Sequence, residues 1–279
     1  MIPKVIHYCW FGDQPLSSEA QKCIDSWRKY LPGFEIKEWN NSNFDFSLCA
    51  YVQEAAANKK WAFVSDYARF WILYREGGVY FDTDVELISD YSSIVAHGPF
   101  MGCEKADNIP NLNYGVNPGL GIGAVPKMDF YRIMLDEYNK AHFMNPDGTL
   151  NHVNIVERTS NVLKKYGYLD NDSMQNILGM TIYPHDYFCP MDYSSGNIAI
   201  TEVTKSIHWY KASWLDDRML VRRKRNQFLR AHLPGRFGAM VSRLYMTTSY
   251  YLEWVSEGKL NLIYKKIKNR IINNGKINY

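Results

Sequence analysis

The order of the first 39 residues narrows the possible folds more than any other feature of this chain. Residues 3–11, PKVIHYCWF, form an apolar run of strand length. The stretch GDQPLSSEAQKCIDSWRKYLPG that follows supplies a loop, serine caps and an amphipathic helix that stops at Pro32-Gly33. FEIKEW, residues 34–39, then alternates as a second strand. Strand, helix and strand in this order mark an α/β unit with parallel strands, whose loops gather at the strands' C-terminal ends. The loops after Phe11 and Trp39 are therefore expected to border one crevice.

The next segment brings charge into an apolar setting. WAFVSDYARFWILYRE, residues 61–76, is apolar on nearly all sides and reads as a buried helix, yet Asp66 and Arg69 lie three apart on one face. Charges are seldom buried without a task, although an intrahelical ion pair would also explain them. Gly77-Gly78 is predicted to end the helix, since glycine accepts the positive φ of a C-terminal cap. Val79-Tyr80-Phe81 then starts a short strand that runs into Asp82 and Asp84. In an extended chain alternate residues share a side, so both carboxylates would converge, and two ionised carboxylates call for a cation or a protonated partner. Hard oxygen ligands select Mg²⁺ or Mn²⁺. A D-x-D sequence alone is common in solvated turns, so its surroundings decide its meaning.

Further along, residues 98–126 hold a strand, a polar loop and the run GLGIGAV, which reads as a close-packed strand rather than a dinucleotide fingerprint. Helices are expected near 128–141 and 152–166, and a strand near 180–184. SIHWYKASW, residues 206–214, reads as a last strand and loop that sets His208, Ser213 and Trp214 near one another. Asn117, Asp136, Gln175 and Asp186 are polar candidates that no spacing rule singles out.

With 279 residues the chain fits one catalytic-sized domain, residues 1–217, and a distinct tail, residues 218–279. Lys and Arg number 18 against 27 Asp and Glu in the first part, and 14 against 2 in the second. The tail mixes these basic residues with Leu, Ile, Tyr, Met and Trp at helical spacing, a pattern suited to an anionic membrane surface or to a solvated basic helix. No recognition-helix, zinc-knuckle or RNP pattern accompanies the charge, so nucleic acid is not an expected partner. The 21 tyrosines and 8 tryptophans exceed what packing alone usually asks for and allow stacking on sugars or bases. Five widely spaced cysteines without a C-x-x-C pair point to a reducing cytoplasm. Neither a signal-peptide core nor a bilayer-spanning apolar stretch is present, so a cytoplasmic protein is expected, its basic tail suited to peripheral attachment at an anionic cytoplasmic membrane surface.

Three blocks, IPKVIHYCWFG, FVSDYARFWILYREGGVYFDTDVE and IHWYKASW, together resemble the D-x-D glycosyltransferases of the GT-A type. The resemblance is to glycosyltransferase family 32, the bacterial capsular-polysaccharide transferases related to yeast initiating mannosyltransferases and, more distantly, to the glucosylating clostridial toxins. It covers about residues 1–215 and implies a Rossmann-like GT-A α/β fold with a mostly parallel central sheet. It further implies that Trp10, with Phe11 beside it, packs on the uracil or other base. Asp66 and Arg69 would bind the ribose or donor sugar, with Tyr80 in the same donor site, and Asp82 would contact ribose and sugar hydroxyls. Asp84 would bind the metal directly, His208 would be a late metal ligand, and Ser213 and Trp214 would lie on a loop closing over the pyrophosphate. In the toxins a carboxylate stands where His208 does.

The activity so implied is retaining, Mn²⁺- or Mg²⁺-dependent transfer of a hexose from a nucleotide sugar, UDP-linked by preference, to a lipid-linked capsular or lipopolysaccharide intermediate, with Asp82, Asp84 and Arg69 as the catalytic set. Two other readings stay open. A haloacid-dehalogenase-type phosphatase or phosphotransferase also ends a strand in D-x-D, although DTDVE departs from that motif at its fifth position. A non-catalytic carbohydrate-binding or scaffold protein is suggested only by the aromatic surplus and the basic tail.

Overall fold

In the computed structural model, which describes residues 1–106, 109, 111–151, 153–211, 217–233, 235–256 and 258, the opening unit forms as its pattern dictates. Strand β1 (Val5–Cys9) and strand β2 (Glu35–Trp39) pair in parallel from Val5–Glu35 to Cys9–Trp39. Between them runs helix α1 (Ser18–Tyr30), whose first turn is capped by the Ser17 side chain accepting from the Ala20 N–H and whose apolar stripe buries Cys23, Ile24 and Trp27. Helices α2 (Ala50–Ala57) and α3 (Trp61–Glu76) follow.

Helix α3 is buried on most sides and ends where expected. Gly77 adopts φ +66° and closes the helix with its N–H on the Leu73 carbonyl, and Gly78 follows at φ +93°. A Cβ on Gly78 would sit 2.7 Å from the Val5 carbonyl oxygen and 3.0 Å from the His7 ring, so only glycine fits there. The chain then passes through β3 (Gly78–Tyr80), β4 (Val85–Leu87), α4 (Ser92–His97), β5 (Phe100–Lys105), β6 (Tyr114–Val116), a 3₁₀ turn (Pro118–Leu120) and β7 (Ile122–Ala124). The remaining elements are α5 (Asp129–Asn139), α6 (Ile155–Lys164), β8 (Gln175–Ile177), β9 (Met180–Tyr183), α7 (His185–Phe188), β10 (Ser206–His208), α8 (Asp217–His232) and α9 (Gly235–Ser256).

The central sheet has the order β2-β1-β3-β7-β5-β9-β8, with β6 also paired to β5. Strands β1, β2, β3, β5 and β9 point one way, while β7, β8 and β6 run against them. The fold is thus mixed α/β with a mostly parallel central sheet. The two larger hydrophobic clusters divide along the strands by alternation. Ile6, Tyr8, Val79 and Phe81 join Trp27 and Phe188 in one cluster, and Cys9 and Tyr80 join Phe70 and Tyr138 in the other. Strands β4 and β10 form a separate antiparallel pair.

The chain divides into two compact units, Met1–Tyr193 with Ile198–Trp214, and Ser194–Asn197 with Leu215–Tyr279. Within the smaller unit α8 and α9 pack against each other, with Arg222 paired to Glu253 and the Arg230 Nε–H donating to the Ser242 hydroxyl at 3.0 Å. Among the described residues no helix is long and apolar enough to cross a membrane.

Candidate active site

The D-x-D residues are not on an extended strand, as alternation suggested. They form a turn in which the Val85 N–H donates to the Asp82 carbonyl at 3.0 Å, and that turn, rather than strand pleating, gathers the carboxylates. Strand β4 begins directly after it and pairs with β10, setting His208 opposite Val85. As a result Asp82, Asp84 and His208 each offer a ligand atom within 4.8 Å of the others. Asp84 is held from several sides. Its Oδ1 lies 3.1 Å from His208 Nε2, its Oδ2 accepts from the Lys211 N–H at 2.7 Å, and its carbonyl accepts from the Trp209 N–H at 2.9 Å.

Burial would push the Asp84 carboxyl up, but the His208 imidazole and the Lys211 N–H outweigh it and hold the group below the ordinary aspartate range. Burial likewise acts to lower His208, and Asp84 overcomes it, so the imidazole is raised. Oxygen and imidazole donors of this kind suit a divalent cation, and neighbouring ligands on an octahedral ion with bonds of about 2.1 Å lie roughly 3 Å apart, as these two atoms do. His208 Nδ1 is buried with no hydrogen-bond partner among the described residues, so hydrogen bonding alone does not account for this buried ring.

The second arm of the site comes from α3. Arg69, 3% exposed, donates from Nη2 to Asp66 Oδ1 at 2.9 Å, from Nη1 to Asp82 Oδ2 at 3.2 Å and from Nε to the Ser65 carbonyl at 3.1 Å, and its guanidinium lies over the Tyr80 ring at 4.9 Å. Tyr80 donates its hydroxyl to Asp82 Oδ1 at 3.0 Å. The Asp66–Arg69 pair on α3 is therefore an ion pair, and it extends to the D-x-D turn. Burial pushes the Asp66 carboxyl up against the pull of Arg69. Both Asp82 oxygens are engaged by protein groups, and Asp84 Oδ1 faces the imidazole.

Four further residues frame this cluster. A Cβ on Gly119 would fall 2.3 Å from Asp82 Oδ2, so the glycine makes room for the carboxylate. Asn117 caps the 3₁₀ turn by accepting from the Gly119 N–H at 2.7 Å and donates to Glu104 Oε2 at 2.6 Å. The same Glu104 oxygen accepts from the Tyr210 hydroxyl at 2.7 Å, and the Tyr210 ring packs edge-on to His208 at 4.2 Å. Burial pushes the Glu104 carboxyl up. Gly119, Glu104 and Tyr210 are not evident in the sequence. Only the Asn-Pro-Gly turn carries a local signal, because the others act through contacts across about 100 residues.

Trp10 follows β1, which runs beside β3, so it stands at the same sheet edge as Asp82. It is half-buried, and its indole N–H donates to the Gln14 carbonyl at 2.8 Å. Phe11, 9% exposed, packs with Phe44 and Phe46 from the loop after β2, so the two loops do meet, with Phe11 as part of their wall. Ser213 and Trp214 lie outside the described residues. Asp136 pairs with Arg132 on the outside of α5, Gln175 pins its own loop through both Leu169 backbone groups, and Asp186 sits in the first turn of α7.

The family model described as a glycosyltransferase sugar-binding region containing a DXD motif matches residues 17–101, a span that includes Asp66, Arg69 and Asp82-Thr83-Asp84. A protein of Acanthamoeba polyphaga mimivirus, named as an uncharacterized glycosyltransferase, is 28% identical over 177 residues, which cover 58% of this chain and 67% of that one. Among solved structures, the PaToxG glycosyltransferase aligns with TM-score 0.42 at 16% identity over 59% of this chain and 69% of that one. The apo-form glycosyltransferase GlyE of Streptococcus pneumoniae TIGR4 aligns with TM-score 0.36 at 14% identity over 60% and 44%. With the DXD turn tied to a buried arginine inside the matched span and set against His208 outside it, the chain is a glycosyltransferase.

Proposed function

We propose that this enzyme is a metal-dependent, retaining GT-A transferase that moves a hexose from a nucleotide sugar, UDP-linked by preference, to a lipid-linked capsular or lipopolysaccharide intermediate at the inner face of a bacterial membrane. The observation that carries the reading is the convergence of Asp82, Asp84 and His208 within 4.8 Å at the mouth of β3. Asp84 and His208 would hold the cation directly, Mn²⁺ or Mg²⁺, with Asp82 alongside. A divalent cation there supplies charge to the departing diphosphate as the glycosyl–phosphate bond breaks.

Arg69 acts through Asp82. Three of its five N–H groups bond Asp66, Asp82 and the Ser65 carbonyl, so it fixes the orientation in which Asp82 would meet ribose and sugar hydroxyls. Trp10, steadied by Gln14, offers an indole face for the base, and Ser213 with Trp214 would close over the pyrophosphate. The buried thiols are poor nucleophiles, since burial pushes Cys9, Cys23 and Cys103 up to about 12. The basic tail, 14 Lys and Arg against 2 Glu, supports a membrane-bound acceptor.

The test is a titration with UDP, with and without Mn²⁺, read by tryptophan fluorescence, on the wild type and on Asp84→Ala. Metal-linked quenching in the wild type, and a loss of roughly 10²–10³ in turnover for the variant with its circular dichroism unchanged, is the expected result. Nucleotide affinity and turnover that survive the substitution would overturn the proposal. Donor hydrolysis in the presence of Mn²⁺, compared across UDP- and GDP-sugars, then identifies the sugar.

A further inference from the structure

The groove between α8 and α9 has a composition that the transfer chemistry does not use. It is lined by Arg218, Val221, Arg222 and Arg225 from α8 and by Tyr245 and Ser249 from α9. Arg222 is 7% exposed. Its Nη2 pairs with Glu253 and its guanidinium lies over the Tyr250 ring at 4.0 Å, yet its Nη1 is buried with no hydrogen-bond partner among the described residues. A buried guanidinium donor without an acceptor is costly, and a phosphate oxygen is the acceptor that guanidinium geometry matches best.

The flanks of this groove are apolar and exposed. At 3.6 residues per turn, Arg222 on α8 turns toward α9, Arg218 and Arg225 form the rim, and Val221 and Phe228, 48% and 61% exposed, come next around the helix. On α9 the buried Gly238 and Ser242 face α8, Tyr245 and Ser249 form the other rim, and Phe237, Met240, Leu244, Leu252 and Val255, all at least 54% exposed, form the stripe beyond. Beyond that stripe Arg236 and Arg243 return the surface to positive charge. An arginine-lined groove between two apolar ridges matches the profile of a bilayer surface, with phosphates at the level of the groove and acyl chains under the ridges. Charge agrees, since the sequence from residue 218 onward holds 14 basic and 2 acidic residues.

We propose that the α8–α9 pair is a docking surface for anionic phospholipid, whose headgroup phosphate enters the groove at Arg218, Arg222 and Arg225 while the flanking apolar side chains enter the interface. This deepens the membrane-facing part of the function proposed above, which it presupposes only for the place of the acceptor. The pair lies on the membrane rather than in it, because neither helix is long and apolar enough to span.

The full-length chain is sedimented with vesicles of phosphatidylcholine alone and of phosphatidylcholine with about one third phosphatidylglycerol. Binding to the anionic vesicles and not to the neutral ones is expected. Arg218→Gln with Arg225→Gln, both at exposed positions, should weaken it about thirtyfold, at about 1 kcal/mol per basic residue. Leu244→Glu with Leu252→Glu should abolish it while leaving helix content by circular dichroism unchanged. Equal binding to both vesicles, or binding indifferent to these substitutions, overturns the proposal. So does a chain that ignores vesicles and elutes as a dimer that the Leu244 and Leu252 variant makes monomeric, since a second copy then covers the face. Displacement from vesicles by inorganic phosphate at constant ionic strength would assign the groove to free phosphate and also overturn it. The readout is partition, so it stands apart from the identity of the donor sugar.

Discussion

At the scale of single residues, the site is arranged by exclusion as much as by attraction. Gly119 is an example, because any side chain there would occupy the place of Asp82 Oδ2, with Asn117 Oδ1 at 3.0 Å and Arg69 Nη1 at 3.3 Å closing the alternatives. Gly119→Ala should therefore displace the Asp82 carboxylate from its bridge and lower turnover roughly a hundredfold while the fold persists. Wild-type turnover in that variant would show that the setting of Asp82 is immaterial. His7 gives a second case, in the core. The Trp39 indole can only donate, and it points at His7 Nδ1 at 3.2 Å, so Nδ1 accepts and Nε2–H donates to the Gly77 carbonyl at 3.0 Å. The ring is thus neutral, and burial lowers its pKa to about 4. Above pH 6.5 folded and unfolded chains both hold neutral imidazole. Below it the unfolded chain binds a proton that the folded one refuses until about pH 4. Stability should fall by about 3 kcal/mol across that window from this group. Denaturant unfolding at successive pH values checks it, with His7→Gln expected to show a shallower decline; parallel profiles for the two proteins would refute the assignment.

At the scale of elements, the strand–helix–strand opening, the buried α3 and its glycine stop were legible because each depends on local periodicity and on residues with special backbone freedom. The β4–β10 pair was not. Each strand has three residues and their partners lie some 120 positions apart, so no window of sequence contains the pairing that sets His208 beside Asp84. The geometry of the D-x-D turn was missed for a related reason, since alternation holds only while the chain stays extended and here it turns at Asp82. What secures the end of β10 is Tyr210, a non-glycine residue at φ +48° whose hydroxyl reaches both Glu104 and Cys189 Sγ, the latter at 2.9 Å. Such a backbone persists only where its surroundings hold it. Tyr210 lies between Trp209 and Lys211, whose N–H groups clasp Asp84, so it orients the proposed cation ligands from outside. Tyr210→Phe should weaken Mn²⁺ binding about 10- to 100-fold, as loss of an outer-shell partner commonly does. The Mn²⁺ dependence of nucleotide binding measures this, and an unchanged midpoint would reduce Tyr210 to packing.

At the scale of the whole molecule, the two units differ in what holds them together. The larger is built around fully buried rings, among them Trp27, Tyr80, Phe81, Phe100 and Phe130, on both faces of the central sheet. The helix pair buries little beyond Gly238, Ser242 and Arg222, while Val221, Phe228, Phe237, Met240, Leu244, Leu252 and Val255 are exposed. A short apolar seam gives helices little protection against local opening, because helical stability in proteins comes mostly from packing. Amide exchange should therefore be orders of magnitude faster in α8 and α9 than in β1 and β3. Nucleotide with Mn²⁺ at a hundredfold excess over its dissociation constant adds about 2.7 kcal/mol to the state that binds it. That increment should appear in the strands and turns around Asp82–Val85 and His208–Lys211 and leave the α8 and α9 amides unchanged, whereas anionic vesicles should protect α8 and α9 alone. If nucleotide protected the helix pair as strongly as the D-x-D turn, the two units would be one cooperative body, and separate roles in donor binding and membrane docking could no longer be assigned to them.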